Sequence, residues 1–79
     1  MKQISKEQLA MLRKEFPIGC RVELLSMSDV FAPPIGTKGT VQYIDDLGDV
    51  GVAWDNGCGL AVAFPEDRCR RCDDEEAID

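Results

Sequence analysis

The side chains best able to hold a metal or exchange electrons in this chain are four cysteines, and two of them form the spacing Cys69-Arg-Arg-Cys72. That spacing is the one used by zinc half-sites and by redox dithiols. Zinc prefers four ligands in a tetrahedron. Cys20 comes beside Cys72 if the first and last strands pair antiparallel, but Cys58 is expected to point into the core beside Trp54, at a hairpin remote from that seam. A redox Cys-x-x-Cys pair sits at a helix N-terminus that lowers the thiol pKa, whereas Cys69 falls on an expected strand, facing opposite to Arg68 and Arg70. The reading adopted is ordinary buried thiols, with no metal and no cofactor. Whether Cys20 and Cys72 pair under oxidation is left open.

Other candidate chemistry has simpler readings. Arg68, Arg70 and Arg71, with Lys38, are the residues that a phosphate backbone would meet, yet charges on a strand edge also discourage edge-to-edge pairing. Three or four phosphate contacts would give only weak, strongly salt-dependent binding. Asp45, Asp46 and Asp49 suggest calcium, but they surround a tight turn, where Asp is used for its own hydrogen bonding, and the twelve-residue ligand ladder of an EF-hand is missing. Trp54 alternates with Val50 and Val52, which puts it on the core face rather than in a proline-recognition groove. Histidine is absent, so the side chain most suited to moving protons near neutral pH is unavailable. A non-catalytic role follows as the expectation.

Composition sets the frame for these residues. A chain of 79 residues is one domain, near the size at which folding buries only about 60% of the unfolded surface. The formal charge of -6 is concentrated: Asp73, Asp74, Glu75, Glu76 and Asp79 lie together at the end, and without them the balance is about -1. This segment, 73–79, is expected to be a disordered acidic tail, and whether it folds back on the arginines and masks them is left open. The N-terminal stretch is charged throughout and no segment approaches membrane-spanning length, so a cytoplasmic protein without a membrane partner is expected.

The elements that position these residues are legible in outline. Ser5 with Gln8 makes a capping box, Ile4 is placed to staple onto Leu9, and Leu9, Leu12 and Phe16 form one apolar stripe of a helix that ends at Pro17 and Gly19. Cys20 to Leu25 alternates as a first strand. The next ten residues, SMSDVFAPPI, have no clear period and read as a long loop, where function is often carried. Thr40–Ile44 and Val50–Trp54 are the second and third strands, joined by the turn at DDLG. Asp55-Asn56-Gly57 is read as a three-residue turn with Gly57 left-handed. Only that register pairs Val50 with Val62, Val52 with Leu60 and Trp54 with Cys58, keeping the large residues on one face. Gly51, Ala53, Gly59, Ala61 and Ala63 then share the reverse face. That patch of small residues is expected to seat the N-terminal helix, a second copy of the chain or a partner, in that order. Arg68–Cys72 makes a fifth strand.

The segments RVELLSM, APPIGTKGTV, DDLGDVGVAWDNGCGL and PEDRCR, spread over Arg21 to Arg70, resemble a family of small bacterial and phage-associated proteins known only as domain of unknown function 4314. The resemblance implies an SH3-like barrel and no established activity, ligand or catalytic residue. Cys58 stands where that family commonly has serine and Cys69 where it commonly has a bulky apolar residue, which argues against a cysteine metal site. GTKGTVQYI also looks like the glycine-bounded strand of KOW-type domains, which contact RNA or proteins.

The resulting expectation is a mainly β protein: an N-terminal helix and connector over 1–19, a five-stranded SH3-like barrel over 20–72, and the acidic tail. Its role is that of a protein-interaction module using Met27, Asp29, Phe31, Pro33 and Pro34 of the long loop. The alternative is a KOW-like nucleic-acid or ribonucleoprotein binder using Lys38, Arg68, Arg70 and Arg71. The sequence does not decide between monomer and homodimer.

Overall fold

The computed structural model describes residues 4–64 and 66–72; the expectation for the acidic tail lies outside the described residues. One helix, α1 (Lys6–Glu15), precedes five strands: β1 (Arg21–Ser26), β2 (Lys38–Ile44), β3 (Asp49–Trp54), β4 (Val62–Ala63) and β5 (Arg68–Arg71). None of the described helices is long and apolar enough to cross a membrane.

The helix begins where its capping residues dictate. The Ser5 hydroxyl accepts from the Gln8 backbone N–H at 3.0 Å and the Gln8 side chain accepts from the Ser5 N–H at 3.1 Å, satisfying two otherwise orphaned donors. Phe16 closes the helix, its N–H donating to the Leu12 carbonyl. From there the Phe16 ring drops into the core and stacks on Phe64, centroids 5.8 Å apart.

All strand pairs are antiparallel and run in the order β4-β3-β2-β1-β5. The sheet curls until β4 and β5 touch, yet among the described residues no ladder joins them. The five-stranded antiparallel sheet is therefore not closed. The physical reason lies in the β4–β5 turn, where Asp67 takes both backbone groups of Ala63: its N–H donates to the Ala63 carbonyl and its carboxylate accepts from the Ala63 N–H. A strand whose edge groups are satisfied by its own turn has none left at that residue for a partner strand.

The turn after β3 has the expected form. Gly57 is left-handed at φ +93°, Trp54 N–H donates to the Cys58 carbonyl at 3.0 Å, and Val50 faces Val62. Between these two contacts the ladder is open, so the expected Val52–Leu60 pair is absent and β4 is two residues long. Here the buried Trp54 indole N–H donates to the Leu60 carbonyl at 2.9 Å. A ladder would have directed that carbonyl to backbone.

The second strand contains a bulge that its residue pattern did not announce. Val41 faces Val52, but Tyr43 faces Gly51 and Ile44 faces Val50, which leaves Gln42 as the extra residue. The slip of one residue returns Ile44 to the core and turns Tyr43 outward over Gly51. A Cβ at Gly51 would overlap the tyrosine ring, so any larger residue there must displace it.

This also corrects the expected seat of the helix. Phe16 belongs to the same buried cluster as Val50, Val52 and Trp54, and Leu12 packs against it, so α1 covers the core face and not the small-residue patch. On that patch Gly51 lies under Tyr43, while Gly59 is exposed with open space around it. Ile4 lies against the Gly48 turn.

Candidate interaction surface

The long loop between β1 and β2 is built to hold two apolar side chains in water. Asp29 organises its tip: the carboxylate accepts from the Phe31 N–H at 2.7 Å and the carbonyl accepts from the Ala32 N–H at 3.0 Å. This Asx turn fixes the backbone at Val30 and Phe31, whose side chains are 89% and 79% exposed. Ile35, further along, is 63% exposed. The loop base is fastened at several points. Pro33 is buried, Met27 packs against the core, and the Pro34 carbonyl accepts from both the Thr37 N–H and its hydroxyl, at 3.0 and 2.7 Å. Asp67 reaches across to accept from the Ser28 N–H.

Of the loop residues singled out in the sequence, Phe31 is thus a presented side chain and Asp29 its organiser. Met27 and Pro33 anchor the loop, and Pro34, though exposed, acts through its carbonyl. Val30 and Ile35, the other exposed apolar residues, were inside the expected loop but not singled out; a non-periodic stretch gives no signal for which of its apolar residues turn outward. Asp67 was missed because its partners are distant in the chain.

The basic residues are not gathered into one patch. The strand register aligns Lys38, Glu23 and Arg70 in a single row across β2, β1 and β5, and Asp55, just past the end of β3, donates its N–H to the Lys38 carbonyl at 2.8 Å, so the signs alternate from Asp55 to Arg70. Arg70 forms an ion pair with Glu23 within this row. One row over, Arg21 donates to both Asp55 oxygens, at 2.9 and 2.6 Å, and to the Thr40 hydroxyl at 3.0 Å. The hydrogen bond from Arg21, helped by the charges of Arg21 and Lys38 and opposed by partial desolvation, holds the Asp55 carboxyl below its ordinary range. Arg68 faces Ser26 across a bulge in β1 and is exposed, as is Arg71 opposite Val22.

The acidic turn uses its carboxylates locally. Asp45 accepts from the N–H groups of Leu47 and Asp49, both at 3.0 Å, and Asp46 pairs with Arg13 of α1 at 3.2 Å. Gly48, left-handed at φ +84°, closes the turn. Cys20, Cys69 and Cys72 are buried and Cys58 is half-buried. Burial pushes the Cys69 thiol up to about 12, and the nearby Cys20, Glu15 and Cys72 act in the same direction. Such a thiol is a poor nucleophile and a poor metal ligand at neutral pH.

No curated protein and no solved structure matches the chain. A family model described as Domain of unknown function (DUF4314) matches residues 5–72. Since that match runs from the helix cap to the end of the last strand, the chain belongs to the DUF4314 family.

Proposed function

We propose that the protein is a non-catalytic protein-interaction module that meets its partner through the Ser26–Ile35 loop, with Val30 and Phe31 as the contact. The observation that supports this most directly is the Asx turn at Asp29, which holds two adjacent large apolar side chains in solvent. Leaving such side chains exposed forgoes about 1.5–3 kcal/mol each, a gain that a partner's surface would recover. A backbone already held in place also loses less entropy on binding. The SH3-like character of the sheet belongs to the same reading. It is supported by the strand order, the antiparallel pairing of every neighbour and the long loop between β1 and β2. A cytoplasmic location and the absence of catalysis complete the proposal.

Interleaving of Lys38 and Arg70 with Glu23 and Asp55 weighs against a phosphate-binding face, because an approaching phosphate meets carboxylates between and beside the cations. The two readings separate in one experiment. The tagged chain and its Phe31→Ser variant are used to capture material from a lysate of the cells that make the protein, with and without nuclease. A protein retained by the wild type, lost by the variant and indifferent to nuclease is the expected result. Enrichment of RNA or DNA that disappears at moderate salt and survives Phe31→Ser contradicts the proposal.

A further inference from the structure

Within the long loop, the tip formed by residues 28–32 is shaped from inside and tethered from outside, and different side chains do the two jobs. The Asx turn at Asp29 bonds only within the tip, its carboxylate and carbonyl accepting from the N–H groups of Phe31 and Ala32. Such a turn fixes the shape of the tip but not where it stands on the molecule. Among the described residues, two hydrogen bonds join the tip to the rest of the chain. The Ser28 N–H donates to Asp67 Oδ1 at 3.4 Å, and the Cys58 thiol donates to the Phe31 carbonyl at 3.8 Å. A thiol is a weak donor, whereas a carboxylate is a strong acceptor for a backbone N–H, so Asp67 is the principal tether. Its second oxygen is also engaged. Asp67 Oδ2 accepts from the Ala63 N–H at 3.1 Å, and the Asp67 N–H donates to the Ala63 carbonyl at 2.9 Å.

We propose that Asp67 is the positioning residue of the contact surface: the β4–β5 turn fixes one carboxylate oxygen, and the other sets the root of the tip that carries Val30 and Phe31. The proposal rests on the reading of that tip as the partner contact and adds the residue that orients it. The turn holds the carboxylate rather than the reverse. Ala63 and Asp67 are four residues apart and share two hydrogen bonds, whereas Ser28 is 39 residues away and contributes one across a much longer closure. Two acceptor oxygens are needed for this. A side-chain amide of the same shape has one acceptor and an NH2 group that opposes a facing N–H. In Asp67→Asn the single oxygen is expected to stay with Ala63, the shorter and more local contact, and to leave the Ser28 N–H without its partner. The tip then moves independently of the sheet, and a partner must order it on binding.

The test is 15N relaxation on the intact protein, which reads the order of each amide. In the wild type, Ser28, Val30 and Phe31 are expected to have order parameters near ~0.85, the value of rigid backbone. In Asp67→Asn these three are expected to fall toward ~0.6, the flexible range, while Ala63 and Val50 keep theirs and report that turn and sheet persist. Asp67→Glu, which retains two acceptor oxygens, is expected to restore part of the order. A mobile tip in the wild type overturns the proposal, whether or not a variant folds. So does a tip whose order Asp67→Asn leaves unchanged, and so does a loss shared equally by Ala63, which makes Asp67 a support of the turn alone. Cross-linking from p-benzoylphenylalanine at Val30 separates this proposal from the reading beneath it. A protein adduct is expected to weaken in Asp67→Asn, and one that stays undiminished overturns the positioning role while keeping the contact. An adduct absent even with Asp67 in place overturns the contact itself, and the order parameters still decide whether Asp67 positions the tip.

Discussion

Asp55 illustrates how single side chains on the outer face of the sheet work in sets. Its carboxylate is held by two hydrogen bonds from Arg21, and its pKa in the fold is therefore below the ordinary value of 3.8. A carboxyl with a depressed pKa in the folded state contributes stability above its unfolded pKa and loses it as pH falls through the folded one. Urea midpoints measured from neutral pH downward are expected to place Asp55→Asn below the wild type at pH 7, with the gap closing as the pH falls through and below the ordinary carboxylate range. A gap that stays constant with pH would mean that the ion pair is not its source. Gly51 makes a different kind of prediction. Because the Tyr43 ring occupies the space where a Cβ would go, Gly51→Ala is expected to destabilise by about 1–3 kcal/mol, the range for overpacking. The double variant Gly51→Ala with Tyr43→Ala is expected to recover part of that loss, since removal of the ring removes the overlap. Additive losses in the cycle would contradict the contact.

At the level of elements, the helix separates local from tertiary stabilisation. Its cap was legible in the sequence because Ser5 and Gln8 are three residues apart and act on each other. Ser5→Ala is expected to cost about 1 kcal/mol. Phe16→Ala removes a buried ring that joins the helix to the core and is expected to cost about 3–5 kcal/mol. Thermal or urea unfolding of the two variants measures this ratio; comparable losses would mean that the cap, rather than the docking of Phe16, holds the element. The β3–β4 turn was also legible, because parity alone fixes which register keeps Val50 and Val62 on one face. The bulges at Gln42 and Leu25 were not. A bulge is a relation between two strands, and residues of either strand alternate acceptably without it until the partner is known. The helix was assigned to the small-residue face for a similar reason: nothing near Gly51 in the sequence says that Tyr43, eight residues earlier, turns over it.

On the scale of the molecule, the sequence pointed to a mainly β domain of this family, and that reading agrees with the five-stranded sheet and the family match. Two features needed the assembled sheet. One is the row Lys38, Glu23 and Arg70 from three strands, with Asp55 just past β3 beside Lys38, which sets two cations of a supposed basic patch among carboxylates. The other is the open seam between β4 and β5, set by the hydrogen bonds of Asp67. Among the described large apolar side chains, the two most exposed, Val30 and Phe31, stand side by side at the loop tip. The central claim, that this tip is the partner contact, is tested most directly by photo-cross-linking in the cells that make the protein, with p-benzoylphenylalanine placed at Val30 in one experiment and at Arg71 in another. A discrete protein adduct from position 30 and none from position 71 is the predicted result. Adducts only from position 71, or adducts from position 30 that carry nucleic acid and no protein, would contradict the account.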